Sequence, residues 1–251
     1  MKKGYWIVVK DIIRKSDIVL EVLDARFPEL TRIVKMEELA SFYKKPVILV
    51  INKADIVSEA ALEKITASYK NYNYVVISAK FSNGIYNLIK KIKTIAKAEN
   101  AKVAVIGYPN TGKSSLINRI SKGGKAPTSL ESGFTKGLQL ISGRGHLKLF
   151  DTPGVVPFSH RDDVKLGLVS GISPSKLNDP DIVAYELIHI FMRDSPSELE
   201  KAYGISANLS PEEFLVELGK KWHMLMKHGI IDEKRAAVKL LSDWHNGKIR
   251  L

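Results

Sequence analysis

The chain has no cysteine and a single glutamine. The first absence excludes disulfides and thiolate metal centres. The second, beside abundant Lys and Glu, fits a heat-adapted protein and decides nothing about function. Long apolar runs are missing too: no stretch approaches the roughly 18 uninterrupted apolar residues of a membrane helix. The opening "MKKGYWIVVKDII" meets a charge before a signal-peptide core can form. A cytoplasmic protein without a membrane or disulfide partner is therefore expected. Acidic residues are in deficit, 27 Asp and Glu against 39 Lys and Arg, for a net charge of +12. That deficit is uneven: residues 1–160 hold 26 basic and 13 acidic groups, 161–213 hold 5 and 10, and 214–251 hold 8 and 4. Such an excess favours a polyanionic partner through counterion release, and it equally suits a soluble, Lys-rich surface.

Strand-like and helical patterns alternate up to about residue 150. The β-branched runs "DIVLEVLDA" (17–25), "PVILVINKA" (46–54), "NYVVISA" (73–79) and "KVAVIGY" (102–108) each end at a polar or glycine-bearing loop, as buried parallel strands do. Helical spacing occupies 32–43, 58–69 and 84–97 between them. The repeated βαβ order predicts an α/β fold with a doubly wound, mostly parallel sheet. A hairpin over 138–154, turning near "SGRGH", would add an antiparallel edge. Beyond residue 160 strand patterns become scarce, and 181–194, 210–229 and 232–247 read as amphipathic helices. Ser210, Pro211 and Glu213 form a capping-box signature. The expected organisation is a sheet domain over 1–160 and an all-helical domain over 161–251.

"GYPNTGKS" (107–114) fits G-x-x-x-x-G-K-[ST], and it stands between a strand and a helix-like segment. Backbone N–H groups of Asn110, Thr111, Gly112 and Ser115 would cradle phosphates at a helix N-terminus. Lys113 would reach the β- and γ-phosphates and Ser114 would bind Mg²⁺. In "LFDTPG", Asp151 would hold Mg²⁺ through water and the Gly154 N–H would meet the γ-phosphate. Thr135 in "ESGFTKG" is the candidate for a switch threonine on Mg²⁺ and the γ-phosphate, with Thr128 second. "VINKAD" places Asn52, Lys53 and Asp55 at the carboxyl end of a parallel strand, where open α/β sheets bind ligands. The Asp55 carboxylate accepts from guanine N1 and N2, which adenine cannot offer. Asn52 would contact the base edge and tether neighbouring loops, and the Lys53 stem would cover the ring. Ser78, Ala79 and Lys80 follow the next strand, with the Ala79 N–H assigned to guanine O6.

The base-reading elements thus precede the phosphate loop, the reverse of an ordinary GTPase. This order over residues 15–156, with "DARFP" at Asp24–Pro28, resembles the circularly permuted GTPases of the YlqF/YawG (RbgA-like) family. The resemblance implies a GTPase acting on GTP with Mg²⁺ as a conformational timer in large ribosomal subunit assembly. It also implies a C-terminal helical domain that binds rRNA, and a potassium ion placed with the help of Asn110. Asn110, Lys113, Thr135 and Gly154 would then carry catalysis.

Two positions depart from that pattern. Val155 and Val156 follow Gly154, where many GTPases carry a water-orienting Gln. Tyr5 occupies the place of the family's N-terminal His. Slow intrinsic hydrolysis is expected, with a GTP-gated RNA-binding or protein-docking module as the alternative. None of the six histidines is a clear substitute; His160 is nearest in sequence to the switch. In the tail, Lys220, Lys221, Trp222, His223, Lys227, His228, Trp244, His245, Lys248 and Arg250 could meet RNA phosphates and splayed bases. The alternative is that both Trp side chains anchor a core and the charges form a solvated face.

Overall fold

The structure, a computed structural model, describes residues 3–121, 140–151 and 163–251. Two compact units divide the chain: Met1–Asp55 with Glu59–His160, and Arg161–Leu251 with the short segment Ile56–Ser58.

The first unit runs α1 (Lys3–Lys15), β1 (Ile18–Asp24), α2 (Pro28–Thr31), α3 (Val34–Phe42), β2 (Val47–Asn52), α4 (Glu59–Ser68), β3 (Tyr74–Val76), α5 (Ile85–Ala96), β4 (Lys102–Gly107), α6 (Lys113–Ile120), β5 (Leu140–Ser142) and β6 (Lys148–Asp151). The strands form one sheet in the order β3-β2-β1-β4-β6-β5. All neighbours are parallel except β5 and β6, which pair antiparallel around a tight turn at Arg144–His146. β1 is central and buried along its whole length. A strand covered on both faces must be apolar almost throughout, and its sequence "IVLEVLD" is apolar apart from Glu21 and the terminal Asp24. Ile18, Leu20 and Val22 pack with Ile48, Val50, Val103 and Val105, and with α5 and α6 through Leu88, Ile92, Leu116 and Ile120.

The opposite face carries the exception. Glu21 is fully buried and its Oε1 accepts the Ile33 N–H at 2.5 Å. Its Oε2 meets no partner among the described residues. Burial pushes its carboxyl up to about 8; the Ile33 N–H opposes the rise, Glu37 adds to it, and Arg32 opposes it. Burial without a direct ion pair thus favours the neutral form of Glu21.

The second unit holds α7 (Asp163–Leu168), α8 (Pro180–Asp194), α9 (Pro196–Tyr203), α10 (Pro211–Lys221) and α11 (Glu233–His245). Phe191 of α8 meets Trp244 of α11 edge-on at 5.6 Å, and the Trp244 indole N–H donates to the Leu168 carbonyl at 2.8 Å. Trp244 is fully buried, so of the two tail readings the core-anchor one holds for this residue. Trp222 is half-buried, edge-on to Tyr203 at 5.7 Å, with the Lys239 ammonium 3.9 Å from its ring centre. The capping box at Ser210 forms, with Glu213 N–H donating to Ser210 Oγ at 3.2 Å and Ser210 N–H to Glu213 Oε2 at 2.9 Å.

The helix expected over 210–229 stops at Lys221. His223 turns into the left-handed region at φ 53°, and Leu225 and Ile231 bridge a short hairpin whose tip holds His228 at φ 67° and Gly229 at φ 76°. Leu225, Met226 and Ile230 on this tip are more than half exposed. No helix among the described residues is long and apolar enough to cross a membrane.

Candidate functional site

Four loops meet at the carboxyl ends of the parallel strands. The phosphate-type loop leaves β4 at Gly107, whose φ of 147° and lack of a side chain let it pass the Val22 carbonyl; a Cβ would lie 2.5 Å from that oxygen. Asn110 at φ 59° and Gly112 at φ 96° turn the loop back into α6. A Cβ on Gly112 would lie 2.2 Å from Asn52 Nδ2. Glycine is required there for two reasons, backbone conformation and contact. Lys113, buried at the first position of α6, reaches back across the loop and donates to the Tyr108 carbonyl at 2.5 Å. Thr111 is buried and its hydroxyl donates to the same carbonyl at 3.0 Å. Ser114 is half-buried and Ser115 exposed.

The base-type turn leaves β2 at Asn52, which is 2% exposed. Its amide joins three chain segments: Nδ2 donates to the Thr111 carbonyl at 2.8 Å, and Oδ1 accepts the Ala79 N–H at 3.0 Å. The Ala79 N–H assigned from sequence to guanine O6 is thus taken by Asn52 in this structure. Asp55 lies on the turn Ala54–Ile56, and the Ser78 hydroxyl donates to its Oδ1 at 2.6 Å. That bond orients the carboxylate. Ser78 also accepts the Phe81 N–H at 3.3 Å.

Two residues not singled out from the sequence complete this frame. Arg119 on α6 donates through Nε to the Ala79 carbonyl at 2.8 Å and through a terminal nitrogen to the Lys80 carbonyl at 2.6 Å. The helix that begins at the phosphate loop therefore also holds the base-backing loop. Arg26, within the "DARFP" stretch, pairs with Asp24 at 2.7 Å, both fully buried. The Lys53 ammonium lies 2.7 Å from the same carboxylate. An arginine on an exposed helix face gives no sequence signal; Asp24 and Arg26 stood in a recognisable element whose role was not assigned.

Asp151 closes β6 opposite Val105 of β4, which brings the end of β6 beside the strand leading into the phosphate-type loop. Thr128, Thr135, Gly154, Val155, Val156 and His160 lie outside the described residues, and Tyr5 falls on α1. Among the described residues no three His, Asp or Glu side chains gather as a metal cage. The oxygen-bearing residues that would serve a cation here are Ser114, at the second position of α6, and Asp151, at the end of β6. Mg²⁺ suits such a set, since it keeps its waters and takes one or two protein oxygens plus nucleotide phosphates.

A family described as 50S ribosome-binding GTPase matches residues 102–203. An uncharacterized GTP-binding protein of Methanocaldococcus jannaschii is 35% identical over 96% of this chain, and the GTPase grn1 of Schizosaccharomyces pombe is 33% identical over 99%. The chain spans 65% and 61% of the lengths of these two relatives. The crystal structure of GNP-bound YlqF from T. maritima aligns with a TM-score of 0.69 at 26% identity, covering 100% of this chain and 97% of that one. The order of site elements, the sheet topology and these similarities agree: in sequence and fold the chain is similar to the circularly permuted GTPases of the YlqF/Nug1 type.

Proposed function

We propose that this chain binds GTP and GDP with Mg²⁺ and hydrolyses GTP slowly to GDP and phosphate, as a conformational timer in assembly of the large ribosomal subunit. The observation that carries the reading is the Asn52 amide, which ties the base-type turn to Thr111 of the phosphate-type loop and to Ala79 of the base-backing loop. A single nucleotide is the ligand that needs all three loops fixed together. Mg²⁺ neutralises charge on the β- and γ-phosphates when bound; Lys113, Ser114, Asp151, Thr135 and Gly154 are the residues proposed around it. Asn110 is proposed to help place a potassium ion there, and Lys80 to back the base.

The segment from Asp151 to Val156 leads in sequence from the sheet unit into the helical one. A γ-phosphate-dependent shift there is how hydrolysis would be felt by the second unit. For rRNA, the supporting surface is the hairpin tip of the second unit. Lys220, Lys221, His223, Lys227 and His228 are exposed and lie close in sequence to the exposed Leu225, Met226 and Ile230; the Lys220 ammonium pairs with Glu217 and that of Lys221 donates to the Tyr203 carbonyl. Cations for phosphates beside apolar groups for unstacked bases form the combination that single-stranded RNA recognition uses.

Steady-state GTP turnover in potassium and in sodium, with and without large ribosomal subunits, tests the proposal. Slow turnover that rises in potassium, and rises further with subunits, is expected. Tight GTP binding without turnover under any of these conditions would favour a GTP-gated RNA-binding module. Salt-insensitive binding to a protein, without rRNA crosslinks, would favour a docking role.

A further inference from the structure

The element "DARFP" belongs to no step of the function proposed above, yet it supplies a charge cluster that is almost completely buried. Parallel pairing of β1 and β2 places Asp24 opposite Asn52 at the two strand ends. Asp24 is 1% exposed and Arg26 5%. Arg26 grips the carboxylate through three groups: its backbone N–H and Nε reach Oδ1, each at 3.0 Å, and Nη2 reaches Oδ2 at 2.7 Å. The Asp24 N–H is held in turn by the Thr31 hydroxyl at 3.0 Å. Oδ2 then accepts a second cation, the Lys53 ammonium, at 2.7 Å. Burial alone would raise the Asp24 carboxyl; Arg26 first and Lys53 second reverse this and hold it well below the usual carboxylate range.

Lys53 is the residue between Asn52 and the turn that carries Asp55, and its φ is 67°. A non-glycine residue in the left-handed region is disfavoured by contact of its Cβ with the backbone, so something must hold it there. The salt bridge to Asp24 is placed to do so, and its geometry is over-determined because Arg26 fixes the carboxylate and the Thr31 hydroxyl fixes the Asp24 backbone N–H independently of Lys53. The backbone direction at Lys53 sets where Asp55 points on leaving β2.

We infer that Asp24, fixed by Arg26, is a positioning residue for base recognition: by anchoring Lys53 it holds the turn that aims Asp55. This rests on the guanine-binding reading above. It adds that the selectivity Asp55 confers depends on a second carboxylate, Asp24, held behind the turn by Arg26.

The test is GDP and ADP affinity for wild type, Lys53→Met, Asp24→Asn and the double variant, with thermal melting of each. Lys53→Met keeps the apolar stem and leaves the Asp24–Arg26 pair intact, so the folded state is spared. The expected result is a loss of about tenfold or more in the preference for GDP over ADP in Lys53→Met. Asp24→Asn should give a similar loss, and the double variant no greater loss than the worse single one. Lys53→Met with wild-type preference would overturn the inference, even if Asp24→Asn fails to fold. So would an Asp24→Asn that melts earlier but keeps the preference, or losses that add in the double variant. If wild type itself shows no preference for GDP, it is the guanine-binding reading that fails.

Discussion

Replacing Asp55 by Asn is expected to weaken GDP binding by roughly 10²–10⁴-fold and to turn the chain toward xanthine nucleotides. The Asp55 carboxylate is oriented by the Ser78 hydroxyl at 2.6 Å on Oδ1, and a carboxylate only accepts. Guanine offers two donors on one edge, N1–H and the exocyclic amine. Two charge-assisted hydrogen bonds at about 1.5–3 kcal/mol each correspond to the stated range in affinity. The amide of Asn would turn a donor toward the guanine amine, leaving both unpaired. Xanthine carries a carbonyl at that position and accepts from the same amide. Competition of GDP and XDP against a labelled nucleotide checks this. An Asp55→Asn variant with wild-type GDP affinity would show that the base is read elsewhere.

The second large effect concerns stability and its dependence on pH. Glu21 has a folded-state value of about 8 against an ordinary value of 4.5. Between those values the native state keeps a proton that the unfolded chain has released, so stability falls as pH rises through the window, by up to about 1.4 kcal/mol per unit. Glu21→Gln removes that titration while preserving shape and an oxygen for the Ile33 N–H. At pH 5 the two proteins should be of similar stability. By pH 8 the variant should be more stable by on the order of 3–5 kcal/mol, an upper figure because relaxation and water penetration soften burial costs. Urea unfolding of both proteins at several pH values measures the difference directly. Parallel pH profiles would mean that Glu21 titrates normally in the folded chain.

Much of the sheet was legible because parallel strands buried on both faces announce themselves as apolar runs. β1, β2 and β4 fall within their expected spans, and β5 and β6 form the expected antiparallel hairpin. The first helix was not read. Ile7 and Val8 break its apolar face, being 68% and 40% exposed, while Val9, Ile12 and Ile13 are buried. A β-branched run "IVV" in that place hides the helical period. The helix over 210–229 was read too long because apolar residues continue past Lys221. Chain reversal at His223 sends Leu225 and Met226 into solvent while Met224 is buried, and no residue type signals that turn.

The site was legible where one loop carries its own chemistry, as in "GYPNTGKS" and "NKAD". It was not legible where the chemistry depends on register. Asp24 meets Lys53 because two strands pair in parallel with Asp24 opposite Asn52. Arg119 meets the base-backing loop because α6 lies beside it, 39 and 40 residues later in the chain. The tail shows the reverse case. Trp244 looked available to stack on bases, but its indole is the core of the second unit and bonds Leu168, 76 residues away. Leu225, Met226 and Ile230 at the hairpin tip are exposed instead, and nothing in their residue types distinguishes them from core positions.

The central claim is that a base-reading turn early in the chain and a phosphate cradle later in it form one guanine-nucleotide pocket. Equilibrium titration of the unmodified chain with GDP and with ADP, in Mg²⁺ at fixed salt, tests it most directly. A donor pattern that the site pairs and adenine lacks gives at least about 100-fold tighter binding of GDP. Equal affinities for the two nucleotides would contradict the account.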